Sequence, residues 1–341
     1  VAADVAGGGA GAATPGMPGM PGMPMHDMGG VPAAPHWPQD ALTWAPEGFY
    51  LAGCVLAMVL YVAGVVRLHR RGDRWPLGRL LLWTLGVGTV LAVTCTGLGR
   101  YGMWLFSVHM VQHMVLSMLS PILLLLGAPL TLALRALRPA RRVRRGPREL
   151  LVALLHSRVV RVLSSPAVAL PLFIASLYGL YFTSLFDVLM RSQAGHLLML
   201  THFLLVGLLF FWPVIGLDPT PRRPSHLMRL LELFLGMPFH AFFGIAVMMA
   251  STPLLRTFRS PPPGWGISAL ADQNTAGGLA WAFSEIPTLL VLLAVFAEWI
   301  RTEERVSRRK DRAADLHGDA ELDAYNAYLA SLAARDARAP N

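Results

Sequence analysis

The sequence predicts an all-α fold: a polytopic membrane helix bundle with seven transmembrane helices, its N-terminus outside and its C-terminus cytoplasmic. Three observations carry this. Of 341 residues, 54% are hydrophobic and only 14% charged, and the mean hydropathy is +0.50, too apolar for a soluble domain of this size. Seven apolar runs each approach or exceed the ~20 residues that cross a bilayer. The basic residues crowd onto alternate connecting segments.

The runs are Phe49–Val66, Leu77–Thr96, Trp104–Ala133, Pro166–Phe186, His196–Leu217, Leu230–Ser251 and Gly278–Ile300. Backbone polar groups inside hydrocarbon must be satisfied within the segment, and open strands cannot do this, so the runs are read as helices. The third is longer than one crossing needs and is expected to tilt or to extend beyond the hydrocarbon.

Orientation follows from the arginines. Five lie between Arg67 and Arg79, nine between Arg135 and Arg161, and three more at Arg222, Arg223 and Arg229. Eight basic residues follow Ile300, so one side holds 25 of the 29 and the other only Arg100, Arg191, Arg256 and Arg259. By the positive-inside rule the crowded side is cytoplasmic. The same pattern excludes a nucleic-acid partner: the net charge of +9 lines one membrane face and forms no groove-tracking patch.

Three domains follow. Residues 1–45 are Gly-, Ala- and Pro-rich and cannot build a core, so a disordered extracytoplasmic arm is expected. Residues 46–300 form the transmembrane domain, with "SPPPGWG" stiffening the last outer loop. Residues 301–341 form a basic tail in which Leu322, Tyr325, Leu329 and Leu332 recur at helical spacing, as in a short amphipathic helix on the membrane or a partner. Cys54 and Cys95 lie in separate runs and read as small core residues. The sequence opens on Val1 with no visible signal peptide, which points to a missing start or a valine-type start codon.

The chemistry lies in polar residues that lipid would not tolerate. His109 and His113, four apart, share one helix face about 6 Å apart along the axis. His196 opens the fifth run from the same outer side, and His202 lies roughly 9 Å deeper. His240 sits mid-way along the sixth run, and Glu285 enters the seventh from outside, below Asp272 and Gln273. Each is costly facing lipid, so all are expected to turn inward and converge. The HxxxH pair with its neighbours reads as metal ligands; His240 reads first as helix-to-helix glue. Glu285 either ligates or orients an imidazole, and Asp272 serves as a ligand or as a loop or cap residue.

Methionine narrows the metal. Met110 and Met114 run beside the imidazole stripe, and Met199 lies between His196 and His202. Thioether with imidazole suits copper(I), although methionine in a span also serves as core filler. In the arm, "MPGMPGMPMHDMGG" places Met17, Met20, Met23, Met25 and Met28 around His26 where there is no core to fill. That is either low-complexity drift or a flexible copper-capture arm.

The stretches "HMVQHMVLSMLSPILLLLGAP", "HLLMLTHFLLVGLLFFWPVIGLDP", "MPFHAFFGIAVMM" and "DQNTAGGLAWAFSEIPTLLV" together resemble the CtaG-type cytochrome c oxidase assembly factors, in the branch named for caa-type oxidases. The resemblance covers roughly residues 45–330. It implies a multi-pass protein of the bacterial plasma membrane that supports oxidase assembly at a copper-insertion step. It also implies a polar signature at His109, His113, His196, His202, His240, Asp272, Gln273 and Glu285. The Met-rich arm rests on composition alone.

The leading expectation is a non-enzymatic copper(I) chaperone whose partners are oxidase subunits or another copper chaperone. A copper transporter would need soft or polar groups continuing inward, where only Glu232 and Met237 stand on the sixth run. A haem protein could use the same histidines; a diiron membrane enzyme would need more of them, and HExxH is absent. A reporter fused after Asn341 should be cytoplasmic and one in the 252–277 loop external. The opposite result would move every candidate ligand to the other face.

Overall fold

The computed structural model describes residues 31–140, 146–221, 223–317 and 320–336. Seven principal helices follow one another: α1 (Gly48–His69), α2 (Leu77–Thr94), α3 (Phe106–Ala136), α4 (Pro166–Tyr181), α5 (Gln193–Ile215), α6 (His226–Met249) and α7 (Ala269–His317). Six are long and apolar enough to cross a membrane. The exception, α4, has 16 residues, about 24 Å of helix. It ends at Tyr181, short of the expected Phe186, and a second short helix, Leu185–Leu189, follows. α7 runs past the expected end of the seventh span, Ile300, to His317 as one helix. A separate helix, Ala320–Asp336, occupies the tail, with Leu322, Tyr325 and Leu329 exposed.

The excess length of the third run is absorbed by a break. α3 starts as regular helix, widens into a π turn over Val115–Leu119, resumes at Ser120, and breaks where Ala128 takes a left-handed conformation (φ 51°). Pro121 has no N–H to offer the Ser117 carbonyl, the usual cause of such a widened turn. Residues 32–45, expected to belong to a structureless arm, carry a 3-10 turn over Gln39–Leu42 and pair Trp44 with Thr96.

Three aspartates hold the bundle together by one device. The residues preceding Phe106, Pro129 and Arg256 are Leu105, Ala128 and Leu255, none of which can cap a helix with its side chain. The orphan N–H groups at those starts need acceptors, and distant carboxylates supply them. Asp272 accepts from Phe106 N (2.6 Å), Ser107 N (3.2 Å) and the Ser107 hydroxyl, joining the starts of α7 and α3. Asp218, just past α5, accepts from Leu130 N (3.1 Å), Thr131 N (2.7 Å) and Thr131 Oγ1 (2.6 Å). Asp187 accepts from Arg256 N (3.3 Å), Thr257 N (2.9 Å) and Thr257 Oγ1 (2.8 Å) in the last outer loop.

Two close crossings complete the frame. On α5, a Cβ at Gly207 would stand 2.2 Å from the Ser117 carbonyl of the π turn and 2.7 Å from Pro121 Cγ. Between α6 and α7, a Cβ at Gly244 would lie 2.7 Å from the Gly277 carbonyl, and one at Gly277 2.6 Å from the Gly244 carbonyl. Helices in lipid associate through such close backbone contact between small residues. Gly207→Ala should therefore destabilise the protein by about 1–3 kcal/mol or more, the usual cost of overpacking a tight contact. Thermal unfolding in detergent measures this, and an unchanged midpoint would mean that α3 and α5 are free to separate.

Candidate metal site

The five imidazoles form a file through the bundle and do not gather into one cluster. At one end His109 (α3) and His196 (α5) are both buried, with ring centroids 5.9 Å apart. Two imidazoles bound to one metal at about 2.0–2.1 Å place their centroids roughly 5–6.5 Å apart, so this pair has the spacing of a shared ion. Aromatic rings enclose His109. Phe186 meets it edge-on at 4.9 Å, with Phe258 at 6.0 Å, Phe203 at 6.2 Å and Tyr181 at 6.4 Å.

His113 lies one turn further along α3, against Phe203 at 4.1 Å and Tyr181 at 5.4 Å, both nearly perpendicular. No hydrogen bond reaches any ring nitrogen of His109 or His113. A buried polar group without a partner costs about 1–3 kcal/mol. Among the described residues, no group of three or more His, Cys, Asp or Glu stands close enough to hold a metal.

The remaining sequence candidates separate. His202 is half-buried and shares a 2.5 Å hydrogen bond with Ser176 of α4, so it ties helices together in the way expected for His240. His240 is buried with Nε2 unpaired, beside Phe173 at 5.1 Å. Asp272, expected as a ligand or as a loop or cap residue, accepts three hydrogen bonds at the start of α3. Gln273 accepts from Leu254 N at 2.8 Å and donates to the Val247 and Thr252 carbonyls, securing the chain beyond α6.

Glu285 departs most from expectation. It faces outward, exposed, and accepts the Trp281 indole N–H at 2.9 Å one turn back on α7. Buried residues flanking it on α7 include Ala280, Ser284 and Thr288. Met110, Met114 and Met199 are buried in the main core cluster. Met17, Met20, Met23, Met25, His26 and Met28 lie outside the described residues.

Sequence reasoning passed over Asp187 and Asp218. A signal existed: between Glu149 and Glu298 the chain has only five acidic residues, Asp187, Asp218, Glu232, Asp272 and Glu285. Two of the five stand beside runs whose partners begin without a capping residue.

Residues 59–302 match the family described as cytochrome c oxidase caa3 assembly factor, and this region is most of the chain. The chain belongs to the caa3 assembly factor family. An uncharacterized protein of Mycobacterium bovis and one of Mycobacterium tuberculosis are each 47% identical to it over 304 residues, which is 87% of this chain and 44% of the relative. An uncharacterized protein of Mycobacterium leprae is 45% identical over 305 residues, 89% of this chain and 46% of its own length. The chain thus spans less than half the length of these curated relatives. No solved structure matches it.

In this caa3 assembly factor family member, cap and ligand roles make opposite predictions. Asp272→Asn should cost about 1–2 kcal/mol of stability through the weakened cap while leaving copper(I) stoichiometry unchanged. Glu285→Gln, which keeps an acceptor for Trp281, should change neither. Unfolding midpoints and metal analysis of purified protein separate the outcomes, and copper loss in Asp272→Asn with normal stability would restore the ligand role.

Proposed function

We propose that this chain holds copper(I) between His109 and His196 and passes it on during cytochrome c oxidase assembly, without itself catalysing a reaction. The observation that carries the reading is the buried His109–His196 pair, 5.9 Å apart, in a box of aromatic rings. Such a box offers neither water nor counter-charge, and a divalent ion without anionic ligands is poorly held there. A monovalent soft cation needs less compensation, and imidazole binds it without the near-irreversible grip of a thiolate cage. Membership of the assembly-factor family supports the same direction. The recipients fit as oxidase subunits or a further copper chaperone.

The topology belongs to this reading. In it the chain crosses the plasma membrane of a bacterium seven times, with α4 as the short crossing, and runs from an outer start to a cytoplasmic tail. The arginine asymmetry supports that orientation. It sets His109 and His196 near the outer face, where a copper-capture arm at residues 17–28 would deliver its cargo.

His109→Gln with His196→Gln should lower copper(I) affinity by more than the 10–100-fold typical of lost metal-supporting groups and abolish the contribution to oxidase activity in cells. The protein should still insert and fold, because the clasp at the start of α3 and the Gly207 crossing do not use either side chain. Full copper occupancy in that variant would end the ligand assignment. Deleting residues 17–28 should impair oxidase assembly only when copper is scarce; impairment at abundant copper would assign the arm another task.

A further inference from the structure

The file of imidazoles continues inward from His113. A small void between α3, α4, α5 and α6 is lined by His113, Ser117, Ser176 and His240. On the other side of His240 lies a second void, lined by Met118, Gly236, Met237, His240, Ser284 and Thr288. Each measures about 10 Å³, near the lower limit for one water molecule or a bare ion. His240 stands at both, and its Nε2 is buried with no hydrogen-bond partner.

From this geometry we infer a second, deeper soft-metal site formed by Met118, Met237 and His240, which takes copper(I) or a cation of the same class. The inference deepens the copper reading above and concerns different residues. Two thioethers and one imidazole, all neutral, are the donor set that suits copper(I) and fails to suit zinc or magnesium, which require harder or anionic ligands.

The local structure is arranged for it. A π turn closes between residues five apart, so the Val115–Leu119 turn brings Met118 toward the helix face that carries His113. Widened turns of this kind recur at functional sites. Gly236, one turn before His240, has no side chain to fill the space: a Cβ there would meet only Phe210 and Leu170, at 3.7 and 3.8 Å. Two turns inward on α6, about 12 Å along the axis, Glu232 is 2% exposed with both carboxylate oxygens unpaired. An ionised Glu232 would balance a monovalent cation held at the void. This buried acid has no other assigned role in the fold.

Silver(I), a redox-inert soft cation, is the probe. Purified full-length wild type, Met118→Leu/Met237→Leu and His109→Gln/His196→Gln are loaded with silver(I), and bound metal is counted after removal of excess. Leucine for methionine conserves volume, so the first variant should keep its fold. It is expected to bind one silver ion fewer than wild type, and excess zinc should not displace the ion from wild type. The second variant should lose a different single ion and retain the inner one. Equal silver counts in wild type and Met118→Leu/Met237→Leu overturn the inner site. If instead only the methionine variant loses an ion, the inner site stands and the outer assignment falls. Should the methionine variant fail to fold, His240→Gln carries the same count, and an undiminished count there overturns the proposal equally.

Discussion

Everything in this bundle depends on satisfying the N–H groups at helix starts where water is scarce. The Asp272 carboxylate joins the first turn of α7 to the first turn of α3 through two backbone N–H groups and one hydroxyl. That join fixes the height of α3, and with it the depth of His109 and His113. Asp218 and Asp187 repeat the arrangement at the α3 break and in the last outer loop. An unsatisfied donor at such a place costs about as much as a lost hydrogen bond, and a carboxylate acceptor is worth more than a neutral one. The Asp272 and Asp218 clasps also place negative charge at the positive end of a helix dipole.

With the heights fixed, glycine sets the lateral spacing. The contact of Gly207 with the Ser117 carbonyl draws α5 against the π turn of α3. The same approach brings His196 beside His109 and Phe203 against His113. The π turn therefore has two effects. It exposes a carbonyl for the crossing, and it redirects the chain below His113 so that Met118 reaches the void beside His240.

The outer imidazole pair and the inner methionine void share a chemical character. Neither contains an anionic ligand, and both are enclosed by aromatic or apolar side chains. Sites of this kind discriminate by softness and charge more than by geometry, because a hard divalent ion would be stripped of water with nothing to replace it. A monovalent soft ion fits that environment.

The sequence alone determined the helical class, the positions of the long apolar helices and the inward burial of His109, His113, His196 and His240, because hydrocarbon penalises a mis-sided polar group so heavily that composition reveals it. It did not determine which of these meet. Glu285 looked like a fourth donor, yet a helix surface offers a polar group a second choice, and Trp281 one turn back satisfies it locally. His202 is tied to α4 and the His240 Nε2 is left unpaired because only the packing of α4 decides that Ser176 reaches one and not the other. Asp272 became a clasp because the residue before Phe106 is Leu105, a pairing separated by more than 160 positions that no local pattern encodes. Residue type and period fix depth and side in a membrane helix; rotation about its axis and contact across the bundle arise only when backbones approach at Gly207, Gly244 and Gly277.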